Sequence, residues 1–183
     1  MPLRPKMTSD FEESVGALAS SQPAQDFQFE RSDWSLFCTL EGLQQRAGVP
    51  IRRLRRLVLK ELADNALDTG TKVRTGVLGE NGGYFVEDQG KGIDGEPEHI
   101  ACIFSIGRQL VSSKLLRRPT RGALGNGLRV VAGSVLASEG SLVVTTHNRR
   151  IKLRPEHDGT KTVVNVRNVK FPVGTRVEII VLS

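Results

Sequence analysis

Apolar residues recur at helical spacing in some stretches of this chain and alternate with polar residues in others. Residues 34–47 form the first helical stretch, with Ser32-Asp33 as a start signal and Gly48-Val49-Pro50 as a break. Residues 51–68 form the second. There Val58, Leu62 and Ala66, with Leu59, make an apolar side, and Arg53, Arg56 and Lys60 make a solvated one. Glu61, Asn65 and Asp68 stand at i, i+4 and i+7 beside the apolar stripe, and Gly70 follows as a stop. Residues 99–104 suit a short helix, and residues 128–137 a second major one. Strand-like alternation covers residues 71–78 and 84–87, joined by the turn-forming Asn81-Gly82-Gly83, which reads as a hairpin. Four further strands are expected at 141–146, 150–154, 162–166 and 175–182. Turns are expected at His147-Asn148, His157-Asp158-Gly159 and Pro172-Val173-Gly174. The order helices, hairpin, helix, meander predicts an α+β sandwich with helices on one face of a mixed, largely antiparallel sheet.

Composition narrows this picture. The chain has 183 residues, 38% hydrophobic and 25% charged, enough for a packed core; aromatics at 5% make that core aliphatic. Residues 1–30 are polar, aperiodic and interrupted by proline, so they read as a flexible arm before a domain at 31–183. Two cysteines, Cys38 and Cys102, without metal-like spacing, point to a reduced, cytoplasmic protein. No stretch has the length of a membrane span. Net charge is +6 and the pI about 9.7, with basic runs at 52–60, 114–121 and 149–154. This balance favours polyanionic partners, either nucleotide phosphates or DNA.

Candidate chemistry lies in three short runs. Glu61 and Asn65, one helical turn apart at the edge of a core, can meet a metal ion, a water and a phosphate together. A glutamate can orient and deprotonate a water, and an asparagine offers a neutral oxygen to Mg²⁺. Asp88-Gln89-Gly90-Lys91-Gly92 follows an apolar strand. A carboxylate there can accept from the exocyclic amine of a base, while the glycines let backbone lie against a flat ring. Gly122-Ala123-Leu124-Gly125-Asn126-Gly127 precedes an apolar helix, where backbone N–H groups and a positive dipole end can face phosphates. Residues 105–121, rich in Ser, Arg and Lys, have the profile of a mobile lid. His99, His147 and His157 lack ligand spacing and read as surface or turn residues; Trp34 reads as a core anchor.

In this order the three runs resemble the GHKL ATPases, the class of gyrase, the heat-shock chaperone, histidine kinases and MutL. The stretch most similar within the class is the ATP-binding domain of the B subunit of type IIB topoisomerase, through Ser112-Ser113-Lys114 and Thr120-Arg121-Gly122. The resemblance covers about residues 34–183 and implies a Bergerat-type two-layer sandwich that binds and hydrolyses Mg-ATP. It implies Glu61 as general base and Asn65 as Mg²⁺ ligand. It places Asp88, Gly90, Gly92 and Thr175 at the adenine. Lys114, Gly122, Gly125, Asn126 and Gly127 fall at the phosphates. It also implies nucleotide-dependent closure or homodimerisation linked to DNA, and a DNA-cleaving partner subunit. Ala123 and Leu124 replace the family's glutamines, and Asn126 stands where an apolar residue is usual. The family's catalytic lysine comes from a transducer domain with no counterpart before Ser183, so slow turnover is expected of this chain alone. The alternatives are a nucleotide-gated interaction module with little turnover, and a histidine-kinase-like domain. The second is disfavoured by Glu61, which serves transfer to water.

Overall fold

The computed structural model describes residues 33–79, 82–107 and 126–181, which belong to one compact unit. The first helical stretch divides in two. Asp33–Cys38 is a 3₁₀ segment, and helix α1 (Leu40–Ala47) begins only after Thr39. Thr39 is extended, and its hydroxyl accepts from Gly42 N at 3.1 Å, so the helix start lies here rather than at Ser32-Asp33. Gly48 ends α1 in the left-handed conformation. A 3₁₀ turn, Ile51–Arg53, then leads into α2 (Leu54–Leu67), which buries Leu54, Val58, Leu62 and Ala66 at helical spacing. Helix α3 is Pro97–Ile103 and helix α4 is Gly127–Ala137. Nearly every side of α4 is covered, including Arg129, whose guanidinium lies 3.7 Å from Asp33 and is pushed down in pKa by its burial.

The strands are β1 (Val73–Leu78), β2 (Gly83–Asp88), β3 (Ser141–Thr146), β4 (Arg149–Pro155), β5 (Lys161–Asn168) and β6 (Thr175–Ile180). They form one sheet in the order β1-β2-β6-β3-β4-β5, with every pair antiparallel. The expected α+β sandwich is present, but among the described strands the sheet is antiparallel throughout rather than mixed: one hairpin and one meander supply three of its pairs, and the return of β6 supplies the other two. The last strand pairs between β2 and β3, which closes the sheet's centre.

Side chains alternate across a strand, so cross-strand partners share a face. Two rows face the helices and build the aliphatic core. One runs Val86, Val177, Val144, Ile151; the next runs Tyr84, Ile179, Leu142, Leu153. A third helix-side row, at the end of the same strands, is polar. It runs Val73, Asp88, Thr175, Thr146, Arg149. The register thus places a carboxylate and two threonines, all buried, side by side.

Candidate functional site

Between that polar row and the helices lies a cavity of about 530 Å³. Helix α2 contributes Leu62, Asn65 and Ala66, and the turn after it contributes Thr69 and Thr71. Strands β2 and β6 contribute Asp88 and Thr175, and residues 89–93 form the rim. The floor is apolar, from Val86, Val177, Phe104 and Leu128. An apolar slot with a few convergent polar groups is the usual make-up of a small-molecule site.

Asp88 is 6% exposed, and its Oδ1 accepts from Gly90 N at 2.7 Å. Its other oxygen accepts no hydrogen bond from a described residue. A carboxylate so placed needs a donor, and the cavity is where one can stand. The loop beyond it is held from three sides. Gln89 N donates to Thr71 Oγ1 at 3.1 Å, and Ile93 N donates to Thr146 Oγ1 at 2.9 Å. The Thr146 hydroxyl in turn donates to Gly174 O at 3.2 Å. Thr71 and Thr69 hydroxyls lie 2.7 Å apart, and Thr69 donates to Ala66 O at 2.7 Å. A single hydroxyl chain therefore runs from Gln89 through Thr71 and Thr69 to α2, with the proton direction set by the carbonyl at its end.

Two glycines are required by space as well as by backbone. Gly92 has φ +86, and a Cβ there would stand 2.7 Å from Thr146 Oγ1. Gly174 has φ +82, and a Cβ there would overlap the Asp88 carbonyl oxygen. Only a glycine lets β6 enter beside Asp88 at this point.

Glu61 is not part of the cavity wall. It stands one turn before Asn65 on α2, with its side chain 27% exposed, and faces the start of α4. A Cβ on Gly127 would be 2.5 Å from Glu61 Oε2. The first and third sequence runs thus meet side chain to backbone. Next to Gly127, Asn126 Oδ1 is buried and finds no donor among the described residues. Among the described residues, no group of three or more His, Cys, Asp or Glu is placed to hold a metal ion. Asn65, the residue expected at a metal, lines the cavity.

The structure therefore gathers Asn65, Asp88, Gly90, Gly92 and Thr175 around one cavity and sets Glu61, Asn126 and Gly127 together at its α2–α4 side. Lys114, Gly122 and Gly125 lie outside the described residues, as does most of the expected lid. Thr146 escaped the sequence reading. It stood only as the last β-branched residue before a turn, and its role depends on strand register. His147, expected as a turn residue, has φ +46 in that turn and lays Nε2 3.0 Å from Asp94 Oδ1, without hydrogen-bond alignment.

No protein-family model matches the chain, and no curated protein matches it. Among solved structures it is similar to the ATPase region of Saccharomyces cerevisiae topoisomerase II, at 19% identity and a TM-score of 0.49 over 73% of this chain. It is similar to the Aquifex aeolicus MutL ATPase domain, at 21% identity and a TM-score of 0.37 over 69% of this chain. It is also similar to the N-terminal domain of a DNA repair protein, at 21% identity and a TM-score of 0.41 over 67% of this chain. The chain spans 34% to 38% of the length of these three structures.

Proposed function

We propose that the chain is an ATP-binding module that seats adenine against Asp88 and Thr175 and hydrolyses Mg-ATP with Glu61 as general base. The observation that carries this is the meeting of three distant sequence runs: Asn65, Asp88 and Thr175 line one apolar-floored cavity, and Glu61 faces Gly127 beside it. The buried Asp88 carboxylate has one oxygen committed to Gly90 N and one without a described donor, which suits the exocyclic amine of adenine. Guanine would set a carbonyl there, acceptor against acceptor. Asn65 is the residue that would hold Mg²⁺ in company with the nucleotide's own phosphate oxygens, and a neutral carboxamide fits that role. The bound ion would neutralise charge on the phosphates. Glu61 takes the proton of the attacking water as its oxygen adds to the γ-phosphorus and ADP departs. Gly122, Gly125, Asn126, Gly127 and Lys114 are assigned to the phosphates on sequence grounds. On the same grounds residues 31–183 are assigned as the nucleotide-binding domain with 1–30 as an arm, and the module is assigned nucleotide-dependent closure or homodimerisation linked to DNA and, separately, a DNA-cleaving partner subunit.

The test is phosphate release from ATP by the purified chain, beside Glu61→Ala and Asn65→Ala. Glu61→Ala should bind ATP as the parent does and lose about 10²–10⁴-fold in rate, the usual contribution of a positioned base. Asn65→Ala should instead lose Mg²⁺-dependent binding. Equal losses of binding in the two variants would contradict these roles.

A further inference from the structure

The sheet's other face, turned away from the helices and the cavity, carries an excess of cations over carboxylates. One row runs Arg74, Glu87, Arg176, Thr145, Arg150, Arg167 across all six strands. The next runs Gly76, Phe85, Glu178, Val143, Lys152, Asn165. With Arg154, these positions hold six cations. The carboxylates against them are Glu87, Glu178 and Glu156, the last paired with Arg154 at 2.8 Å.

Those carboxylates order the arginines while offsetting part of their charge. Glu87 takes Arg74 at 3.4 Å and Arg176 at 3.3 Å; Glu178 takes Arg176 at 2.9 Å and also Arg150. Two acids thus order three guanidiniums. Arg176 is further fixed by stacking its guanidinium 3.9 Å from the Phe85 ring centroid. Val143 and Thr145, on this outer face, are buried. Each guanidinium has five donors, so donors remain for an outside acceptor after these pairings. Lys152 and Arg167 are exposed and have no carboxylate partner among the described residues.

We propose that this outer sheet face binds a nucleic-acid duplex through its phosphates. Strands lie about 4.8 Å apart, so the row from Arg74 to Arg167 spans roughly 24 Å, about seven base-pair rises of about 3.4 Å each. Pre-ordered guanidiniums suit phosphate oxygens and lose little side-chain freedom on binding. The ring of Phe85 is covered by Arg176, and no other aromatic stands in the two rows, so the face offers no platform for unstacked bases. That favours a duplex backbone over a single strand, and sequence-independent contact over base reading. The face is separate from the cavity, so the inference does not rest on nucleotide binding.

The experiment measures binding of a labelled DNA duplex of about 20 base pairs, roughly two helical turns, without nucleotide, across a salt series. The double reversal Lys152→Glu/Arg167→Glu is expected to weaken binding about tenfold or more and to flatten the log–log salt slope by roughly two. The milder pair Lys152→Gln/Arg167→Gln should change both in the same direction and guards against misfolding. Reversing two exposed residues, Arg52 in the 3₁₀ turn before α2 and Arg56 on α2, should leave both unchanged. An unaltered slope in both outer-face variants, an equal loss in the Arg52/Arg56 control, tighter binding of a single strand of the same length, or equal capture of polyglutamate would each overturn the proposal. Asp88→Asn should not alter duplex binding, so failure here and failure of the nucleotide reading are separable.

Discussion

Thr146 holds the glycine loop with one hydroxyl that both accepts from Ile93 N and donates to Gly174 O. It is fully buried, so no water can replace it. Thr146→Val keeps the shape and removes both bonds. It should cost about 1–3 kcal/mol in denaturant unfolding, the scale of a buried donor left unsatisfied. A loss below a few tenths would mean the loop holds itself. Asp88 and Asn65 were legible from the sequence because each belongs to a recognisable local run. Thr146 was not, because Thr175 becomes its neighbour only through sheet register, and Gly92 and Ile93 only through the course of the loop after β2.

At the scale of elements, one place where α2 meets α4 is Glu61 against Gly127. A methyl at Gly127 meets only the movable end of Glu61. Gly127→Ala should therefore leave thermal stability unchanged while phosphate release falls and ATP binding persists. A variant that unfolds early would show that the glycine serves packing instead. Gly174→Ala is the opposite case, since its Cβ would strike the Asp88 backbone carbonyl at a φ of +82. It should cost more than the 1–3 kcal/mol of a strained backbone position alone, read by denaturant unfolding. The helices and strands themselves were largely legible, because their periodicity is local. The division of the first helical stretch was not: Thr39 competes as a cap, and apolar spacing does not register a hydroxyl turned back on the backbone.

At the largest scale, the described domain is built on a two-sided sheet. Its inner face carries the aliphatic core and a cavity edged by a polar row; its outer face carries ordered cations. Sequence alternation shows that such strands have two faces, but not which strands lie side by side. The antiparallel insertion of β6 between β2 and β3 therefore had to be seen, and with it the pairing of Asp88 with Thr175 and of Thr175 with Thr146. That pairing makes Asp88 the group on which nucleotide choice should turn. The most direct measurement is calorimetric titration of ATP and GTP into the parent chain and into Asp88→Asn. ATP should bind more tightly than GTP, and Asp88→Asn should lose about 1–3 kcal/mol of ATP affinity, the scale of a mispaired buried polar group. Unchanged ATP affinity in Asp88→Asn would contradict the placement of adenine in this cavity.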